Sequence, residues 1–457
     1  MTSIVISGGR VIDPGQGLDG NFDVLVVDGL IEEVAPAGHF ARLADAHVID
    51  AAGKWVLPGL IDPHVHLRDP GFPEKETIES GLRAAAAGGF TTVAAMANTS
   101  PVNDSPEITR YMLDAARRAG GTRLVPVSAV TRGLEGRELV DGEAMAAAGA
   151  RLFSDDGLPV DDEPLLLTAY DQVNRLGLAI SLHEEDRELS RGGAINQGEI
   201  ARQLGVRGIP DSAESRRVGR DLALAIGNGA AVHIAHVSSA QSLQMIRAAR
   251  NHGANVTCEV TPHHFSLDES AVLRCGTDAK MNPPLREGQD VAALEAALSD
   301  STIDMIATDH APHDPGSKQP AALAGCFPFH ANHDHPLNPA QADAMTRAPN
   351  GVIGLETALG LALRLVHRSI ISAARMVELM ALNPARLLRL EAGTLAAGAA
   401  ADVTIVDPEL RWTVDAAEMR SKSRNTPFAG MKLVGRATMT IVSGKIIYSA
   451  TNGAASR

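Results

Sequence analysis

Histidines and aspartates that follow apolar runs are the residues of this sequence best suited to chemistry. The run VLPGLIDP is followed by His64 and His66, and the period of two in an extended chain points both imidazoles to the same side. The other members of this set, which follow the runs LFS, LAISL, VHIA and IDMIAT, are Asp155, Asp156, His183, His236 and Asp309. Imidazole nitrogen and carboxylate oxygen are ligands that zinc accepts at about 2 Å. The set therefore predicts a metal site.

Each member alone is weak evidence. An isolated H-x-H pair is more often incidental than metal-binding, and Asp155-Asp156-Gly157 is also typical of a turn or a helix cap. The joint occurrence of these residues favours a metal site. His233 lies inside its apolar run and is expected to be structural, whereas His263 and His264 are expected to orient their neighbours.

A metal with open coordination positions lowers the pKa of a bound water to about 7, which makes a nucleophile available at neutral pH. Such a nucleophile could attack an amide, and amide hydrolysis also needs a group that exchanges protons. Asp309, in the segment TDHAPH, is the candidate catalytic residue because a carboxylate can both ligate a metal and accept a proton.

The elements that must position these residues alternate between apolar strands and Ala/Leu-rich helices. Seven or eight such units predict a (β/α)₈ barrel, whose functional residues lie at the carboxyl ends of its strands. Short β-like runs precede and follow this region, and they predict a small β-sandwich built from both chain ends. The predicted divisions are 1–57 and 393–457 for the sandwich and 58–392 for the barrel.

Composition narrows the class of ligand. The 457 residues include 55 acidic and 41 basic side chains, a formal charge of −14, which argues against nucleic acid as a partner. Only three cysteines occur, and none stands in a C-x-x-C arrangement, so neither a disulfide framework nor a thiolate zinc site is expected. No signal peptide or membrane span is recognisable, and we expect a soluble cytoplasmic protein with a small-molecule substrate.

The motifs resemble those of the bacterial type I dihydroorotases, within the amidohydrolase superfamily, over nearly the whole chain. PGLIDPHVH marks only the superfamily, whereas the set NPPLR, DHAPH, GLET and NTPF is more specific. The resemblance implies a zinc-dependent enzyme of pyrimidine biosynthesis that interconverts N-carbamoyl-L-aspartate and L-dihydroorotate. It also implies a homodimer, and association with aspartate transcarbamoylase is a further prediction.

The resemblance also assigns residues. It implies one zinc on His64, His66 and Asp309, a second on His183 and His236, and an aspartate that bridges them. By its position in the motif, Asp156 is expected to be this bridge, with Asp155 as the alternative. Many relatives have a carboxylated lysine here, but the segment FSDDG contains no lysine.

Substrate recognition is predicted to begin with Arg68, whose planar guanidinium can bind the substrate's α-carboxylate in a bidentate manner. Arg68 is two residues beyond His66, on the same side of an extended chain, and His66 is also expected to contact substrate. The alternative for Arg68 is a surface ion pair. By resemblance, the remaining substrate contacts are Asn98, Asn282, His313, Asn350 and Gly351.

Residues 314–347 depart from the family pattern. This Pro/His/Asn-rich stretch shows no hydrophobic period, lengthens the gap between DHAPH and GLET, and is expected to be a mobile cover over the site. Its histidines, His330, His333 and His335, leave open a further metal site.

Two other functions remain as alternatives. The first is another cyclic amidase, such as a dihydropyrimidinase, hydantoinase or allantoinase, and the carboxylate-binding role of Arg68 argues against it. The second is a catalytically silent structural partner of aspartate transcarbamoylase. Such a protein would be expected to have lost metal ligands, and none is missing here.

Overall fold

Eight short parallel strands, almost all of whose residues are buried, form the central sheet. A computed structural model describes residues 3–43, 45–329 and 336–450. The strands of the sheet are β6 (Leu60–Val65), β7 (Phe90–Ala95), β8 (Arg123–Ser128), β9 (Leu152–Phe153), β10 (Ile180–Leu182), β13 (Ala231–Ile234), β14 (Asn255–Val260) and β15 (Met305–Ile306). Every strand pairs with the next in chain order. This is the sheet of the predicted (β/α)₈ barrel.

The chain beyond β15 brings the two edges of this sheet together. His310 forms a parallel bridge with Val65, and its carbonyl accepts a hydrogen bond from the amide of His66 at 2.8 Å. The barrel is therefore nearly closed beside the H-x-H pair. Closure at this point brings the chain around Asp309 next to the end of β6.

Helices follow the strands, as the Ala/Leu-rich segments predict. They are α1 (Ile78–Gly88), α2 (Pro106–Ala119), α3 (Gly142–Ala148), α4 (Glu163–Leu176), α5 (Arg187–Ser190), α6 (Glu199–Leu204), α7 (Ser212–Asn228), α8 (Ala240–Asn251), α9 (Pro262–Ser266), α10 (Ala271–Cys275), α11 (Gly288–Ser299), α12 (Pro315–Lys318), α13 (Pro339–Arg347), α14 (Ala358–His367), α15 (Ala373–Val377) and α16 (Asn383–Leu387). Short 3₁₀ turns and one π-helical stretch, Glu378–Leu382, complete the helical structure. Among the described residues, no helix has both the length and the apolar character that crossing a bilayer would require.

A second sheet combines both ends of the chain. Its strands are β1 (Ser3–Asp13), β2 (Leu18–Val27), β3 (Leu30–Pro36), β4 (His47–Asp50), β5 (Trp55–Pro58), β16 (Val403–Thr413), β17 (Lys432–Val442) and β18 (Lys445–Ser449). Most of its pairs are antiparallel, and β5 joins the two chain ends by pairing with β16. A separate pair, β11 (Ile195–Asn196) with β12 (Gly208–Ile209), lies outside both large sheets.

This second sheet encloses its own apolar core, which includes Ile6, Val24, Leu395, Val403 and Ile441. The chain passes from this sheet to the barrel between Pro58 and Leu60, close to the predicted division after residue 57. The exact division of the chain into domains stays a prediction.

The insertion contains helices that the sequence pattern did not predict. Helix α13 begins with a capping box, in which the Asn338 side chain accepts from the amide of Gln341 and the Gln341 side chain accepts from the amide of Asn338. Pro339 at the first helical position further favours helix initiation. The insertion therefore contains regular structure although its sequence lacks a hydrophobic period, and its role as a mobile cover stays a prediction. The histidines His330, His333 and His335 lie outside the described residues.

Candidate metal centre

The predicted metal ligands converge around one carboxylate. Two groups of potential ligand atoms, each within 4.8 Å of one another, share Asp156: the first includes His64 and His66, and the second includes His183 and His236. All five side chains are buried. The shared carboxylate has the position that a bridging ligand requires.

The two oxygens of Asp156 face both groups. Its Oδ1 lies 3.5 Å from His64 Nε2, 3.4 Å from His183 Nδ1 and 3.8 Å from His236 Nε2. Its Oδ2 lies 3.5 Å from His66 Nε2. Burial alone would raise the pKa of Asp156, but the surrounding imidazoles hold it well below its usual range. Asp156 is thus a carboxylate, the form that binds a metal.

Asp155 has a different task. Its Oδ1 accepts hydrogen bonds from the amides of Val130 at 2.7 Å and Thr131 at 3.1 Å, and its Oδ2 accepts from the Thr131 hydroxyl. These contacts tie the chain after β9 to the chain after β8. The geometry therefore favours Asp156 over Asp155 as the bridge.

Asp309 lies at the edge of the first group. Its Oδ1 is 3.0 Å from His66 Nε2 and 3.6 Å from His64 Nε2. Burial would raise the pKa of Asp309, but hydrogen bonding to His66 and the charge of His64 hold it below its usual range. Asp309 is therefore ionised, as both a ligand and a proton acceptor must be.

Left-handed backbone conformations turn two of these residues at the strand ends. His236, two residues after β13, has φ +33°, and Asp309, three residues after β15, has φ +45°. A non-glycine residue in this region costs roughly 1–3 kcal/mol and persists only where the surrounding structure imposes it. Such strain is typical of functional sites.

In three of the four imidazoles, a carboxyl or amide group contacts the ring nitrogen that does not face Asp156. His64 Nδ1 lies 2.6 Å from Glu259 Oε1, and His66 Nδ1 lies 2.8 Å from Asn98 Oδ1. His183 Nε2 lies 3.3 Å from Glu185 Oε2. Each contact leaves the opposite ring nitrogen facing Asp156, which is the arrangement that metal-binding histidines usually show.

A polar atom without a partner supports the same interpretation. His64 Nε2 is fully buried and has no hydrogen-bond partner among the described residues, although it faces Asp156 and Asp309. Burying such an atom unpaired is unfavourable. A divalent metal between these groups would satisfy it, so the residues present fit a metal centre.

Glu259 connects several of these groups, and the sequence interpretation missed it. Besides His64, its oxygens contact His233 Nε2 at 3.0 Å and the amide of His236 at 3.3 Å. Burial would raise its pKa, but the facing imidazoles lower it. The signal for Glu259 was an acidic residue inside the apolar run of β14, since a buried carboxylate needs a partner. His233 lies within β13, as predicted, and supports Glu259.

His264 and Asn282 are linked to the second group. His264 Nε2 donates to the carbonyl of Pro283 at 2.9 Å, adjacent to Asn282. The Asn282 side-chain amide donates to Glu185 Oε2 at 3.0 Å and lies 3.4 Å from His183 Nε2. These contacts place the predicted substrate ligand Asn282 beside a predicted metal ligand, with His264 orienting the chain as expected.

Asn98 also lies within the site. In addition to its contact with His66, its side-chain amide donates to Asp156 Oδ2 at 3.3 Å. The side chain predicted to contact substrate therefore also orients two predicted metal ligands.

Arg68 reaches the site by a different backbone route from the predicted one. Strand β6 ends at Val65, and Arg68 has φ +59°, so the chain is not extended at this position. The prediction that Arg68 lies on the same side of an extended chain as His66 is therefore wrong, because a left-handed residue interrupts the alternation of side chains. Its Nε nevertheless donates to the carbonyl of Pro312 at 3.2 Å, and its terminal nitrogen lies 3.3 Å from His313 Nε2.

No ion pair joins Arg68 to a carboxylate of the described residues, which argues against the surface ion pair. Burial lowers its pKa to about 10, and the more distant charges of Asp309 and Asp156 partly oppose that effect. A desolvated guanidinium with open donors is suited to bind a ligand's carboxylate. Next to it, burial and the charge of Arg68 lower the pKa of His313 to about 2, so this imidazole is neutral.

Asn350 and Gly351 pack against His313 and the chain after β15. His313 Nε2 donates to the carbonyl of Asn350 at 2.7 Å. Gly351 has φ +126°, and a Cβ there would lie 2.9 Å from the Ala311 carbonyl oxygen, so only glycine fits. The Asn425 side chain, from the segment NTPF, donates to the carbonyls of Ala311 and Gly351, both at 3.0 Å.

Comparisons with known proteins agree with this geometry. The family described as Dihydro-orotase-like matches residues 53–242, and the one described as Amidohydrolase family matches residues 289–448. A solved L-hydantoinase (dihydropyrimidinase) from Arthrobacter aurescens has a TM-score of 0.84 and 25% sequence identity, covering 98% of this chain and 96% of that one. A dihydropyrimidinase from Brevibacillus agri, at 23% identity and a TM-score of 0.78, covers 98% of this chain and 95% of its own, and shares the fold.

Curated relatives are more similar in sequence. The dihydroorotase of Syntrophotalea carbinolica is 48% identical over 445 residues, which cover 97% of this chain and 99% of the relative. The dihydroorotase of Citrifermentans bemidjiense is 45% identical over 448 residues, covering 98% and 100%. This chain belongs to the dihydroorotase family of amidohydrolases.

Proposed function

We propose that this chain catalyses the reversible cyclisation of N-carbamoyl-L-aspartate to L-dihydroorotate with two zinc ions, and that Arg68 binds the substrate's carboxylate. The observation that carries the substrate assignment is the partly buried Arg68 guanidinium, which has no carboxylate partner among the described residues. Both dihydroorotate and carbamoyl aspartate carry the α-carboxylate that such a group binds.

His64, His66 and Asp309 would hold one ion, His183 and His236 would hold the other, and Asp156 would bridge them. The two groups that share Asp156 support this division. When bound, the ions supply an activated water and polarise the amide carbonyl. Zinc suits a set of imidazole and carboxylate ligands.

Charge also supports two divalent cations. Four buried or largely buried carboxylates, those of Asp156, Asp309, Glu259 and Glu185, contact the four histidines of the site. Buried anions at this density need compensating positive charge. Two divalent ions would supply positive charge next to these carboxylates.

Asp309 is the proton carrier in this mechanism. In hydrolysis, its carboxylate accepts the proton of the attacking water and delivers it to the ring nitrogen as the ring C–N bond breaks. In the direction of ring closure, it removes a proton from the carbamoyl nitrogen as that nitrogen attacks the carbon of the protonated side-chain carboxyl group. It then delivers this proton to the departing carboxyl oxygen, which leaves as water when the C–O bond breaks. The lowered pKa of Asp309 leaves its carboxylate ionised at neutral pH, which is the form that can accept a proton.

Arg68, Asn98, Asn282 and His313 would position the substrate, and Asn350 and Gly351 would border its ring. His66 would contact the substrate from the metal side. Among these groups the Gly351 amide already donates to the Lys280 carbonyl at 3.0 Å. Its contribution is therefore to shape the loop rather than to donate to the ring.

The assay that tests this proposal compares L-dihydroorotate with dihydrouracil, the same ring without the carboxylate. We expect kcat/KM to favour dihydroorotate by at least about 10³-fold, because a site with a partly desolvated guanidinium discriminates strongly against a ligand that leaves it unpaired. Equal use of dihydrouracil, hydantoin or allantoin would instead support a general cyclic amidase.

Metal analysis tests the zinc proposal separately. Two zinc ions per chain are expected, and chelation should abolish turnover until zinc is restored. Asp156→Asn should bind at most one ion tightly, because it weakens the ligand shared by both groups. Two tightly bound ions in that variant would argue against the bridge.

The homodimer, the association with aspartate transcarbamoylase and the cytoplasmic location stay predictions. Light scattering coupled to size-exclusion chromatography, with and without the transcarbamoylase, tests the first two.

A further inference from the structure

Two buried lysines lie behind the loop of residues 348–351, which the proposed function places beside the substrate. Lys280 precedes the segment MNPPLR, and Lys318 ends helix α12 in the insertion. Their exposed fractions are 3% and 1%. Long cationic side chains are rarely buried this deeply, so both residues need a physical explanation.

The ammonium groups of these lysines donate to the loop. Lys318 Nζ donates to the carbonyls of Pro349 at 2.9 Å and Lys280 at 2.8 Å. Lys280 Nζ donates to the carbonyl of Ala348 at 2.5 Å and to the side-chain oxygen of Asn350 at 2.9 Å. Together they contact three consecutive residues of the loop.

Two further hydrogen bonds fix the loop, and one of them comes from His313 in the proposed substrate-binding region. The Gly351 amide donates to the carbonyl of Lys280 at 3.0 Å, the same oxygen that Lys318 binds. On the opposite side, His313 Nε2 donates to the carbonyl of Asn350. His313 in turn contacts Arg68, so the position of the loop is linked to that of the guanidinium.

These contacts are unusual in their chemistry as well as their position. The described hydrogen bonds of both ammonium groups go to neutral carbonyl oxygens. Two amines buried without an ionic partner add little to stability, because desolvation offsets the hydrogen bonds they gain. Burial lowers the pKa of Lys280 to about 8 and that of Lys318, next to Lys280, to about 7. A role in shaping the loop explains why they are buried there.

We propose that Lys318 and Lys280 are positioning residues for the dihydroorotase reaction, which fix the loop of residues 348–351 against His313 and Arg68 and thereby set substrate affinity. The inference rests on the proposed function. The proposal also gives the insertion a defined role, since its first helix, α12, supplies Lys318, which holds the loop of residues 348–351.

The test uses full-length Lys318→Met and Lys280→Met variants, their combination, and the wild-type chain. Methionine keeps an unbranched side chain of similar length and removes the donors. Lys445→Met, at an exposed position in β18, is the matched control. The measurements are kcat and KM for L-dihydroorotate, zinc content and the thermal midpoint.

Each single variant is expected to raise KM by about tenfold, with kcat changed by less than about threefold and zinc content unchanged. The double variant should resemble the weaker-binding single variant, because both lysines act through one loop. The control should match the wild type. If Lys318→Met does not fold, the KM of Lys280→Met decides the question.

An unchanged KM in both single variants would overturn the proposal. So would a fall in zinc content or a proportional loss of kcat, since either would assign the lysines to general support of the fold or the metal centre. Failure of the wild type to use dihydroorotate would count against the proposed function instead. In that case, the same KM comparison is made with whichever cyclic amide the wild type hydrolyses.

Discussion

Replacing Glu259 with glutamine tests whether the carboxylate that contacts His64 Nδ1 strengthens metal binding at the other ring nitrogen. The carboxylate is 1% exposed, and its Oε1 lies 2.6 Å from His64 Nδ1. With a metal bound at His64 Nε2, the proton of the neutral ring would lie on Nδ1, which then donates to Glu259. Glutamine keeps the shape of the side chain but removes its charge.

The glutamine can adopt one favourable orientation. With its oxygen toward His64, its NH₂ group faces His233 Nε2, which Glu259 contacts at 3.0 Å. His233 can accept this hydrogen bond by changing tautomer, because its Nδ1 faces the hydroxyl of Thr257 at 2.9 Å, and a hydroxyl can donate or accept. The fold should therefore survive the substitution.

The remaining effect is the loss of charge assistance. Hydrogen bonds to charged groups contribute about 1.5–3 kcal/mol and neutral ones about 0.5–1.5 kcal/mol, so the difference is about 1–1.5 kcal/mol. Since about 1.4 kcal/mol corresponds to tenfold in affinity, Glu259→Gln should weaken zinc binding by about tenfold. Changes to carboxylates behind metal-binding histidines typically have effects of about 10- to 100-fold.

The assay is competition for zinc against a chelator of known affinity, combined with a thermal melt and with kcat at saturating zinc. Glu356→Gln is the matched control, because Glu356 is also a buried carboxylate but accepts hydrogen bonds from the amides of Arg420 and Ser421, away from the proposed ligands. Zinc affinity of Glu259→Gln within twofold of both wild type and control would refute the reasoning.

Three further predictions concern the proton carrier, the substrate anion and a buried amine. Asp309→Asn should lower kcat by about 10²- to 10⁴-fold while retaining most of the zinc, and near-normal turnover would remove Asp309 from catalysis. Arg68→Lys should lower kcat/KM for dihydroorotate by about 10- to 100-fold, because an ammonium cannot reproduce the bidentate contact, and an unchanged value would return Arg68 to a structural role. The pKa of Lys318 is lowered to about 7 from 10.5, so the unfolded chain binds more protons between these values, and this residue makes the free energy of unfolding rise with pH from about 7 to about 10.5. Urea denaturation at several pH values should therefore show a smaller rise for Lys318→Met than for the wild type, and equal slopes would contradict the lowered pKa.

The barrel and its metal ligands could be predicted because they depend on local pattern. Alternating apolar strands and helices predict the architecture, and parallel strands place their carboxyl ends on one side of the barrel. His183 and His236 therefore converge on Asp156 although they come from different strands. Residue type then determined the chemistry, since imidazoles and carboxylates at strand ends are typical metal ligands.

The residues that hold the site in place could not be predicted in the same way. Glu259 and His64 are 195 positions apart, and Lys318 contacts Pro349 across the insertion. No local period marks such pairs, because their contacts arise only after the barrel closes and the insertion folds onto it. At Arg68 the local pattern was itself misleading, because its neighbours in sequence predict an extended chain but it adopts a left-handed conformation.

The insertion illustrates why an absent hydrophobic period is weak evidence for mobility. Helix α13 has one fully buried residue, Met345, and Lys318 at the end of α12 donates to two backbone carbonyls. A segment that covers an existing core needs only a few anchors, whereas a helix that forms the core needs a continuous apolar face. Lys318 is an anchor of the first kind. Because its partners include the carbonyl of Pro349, a change in how the insertion packs would be transmitted directly to the loop that borders the proposed substrate site.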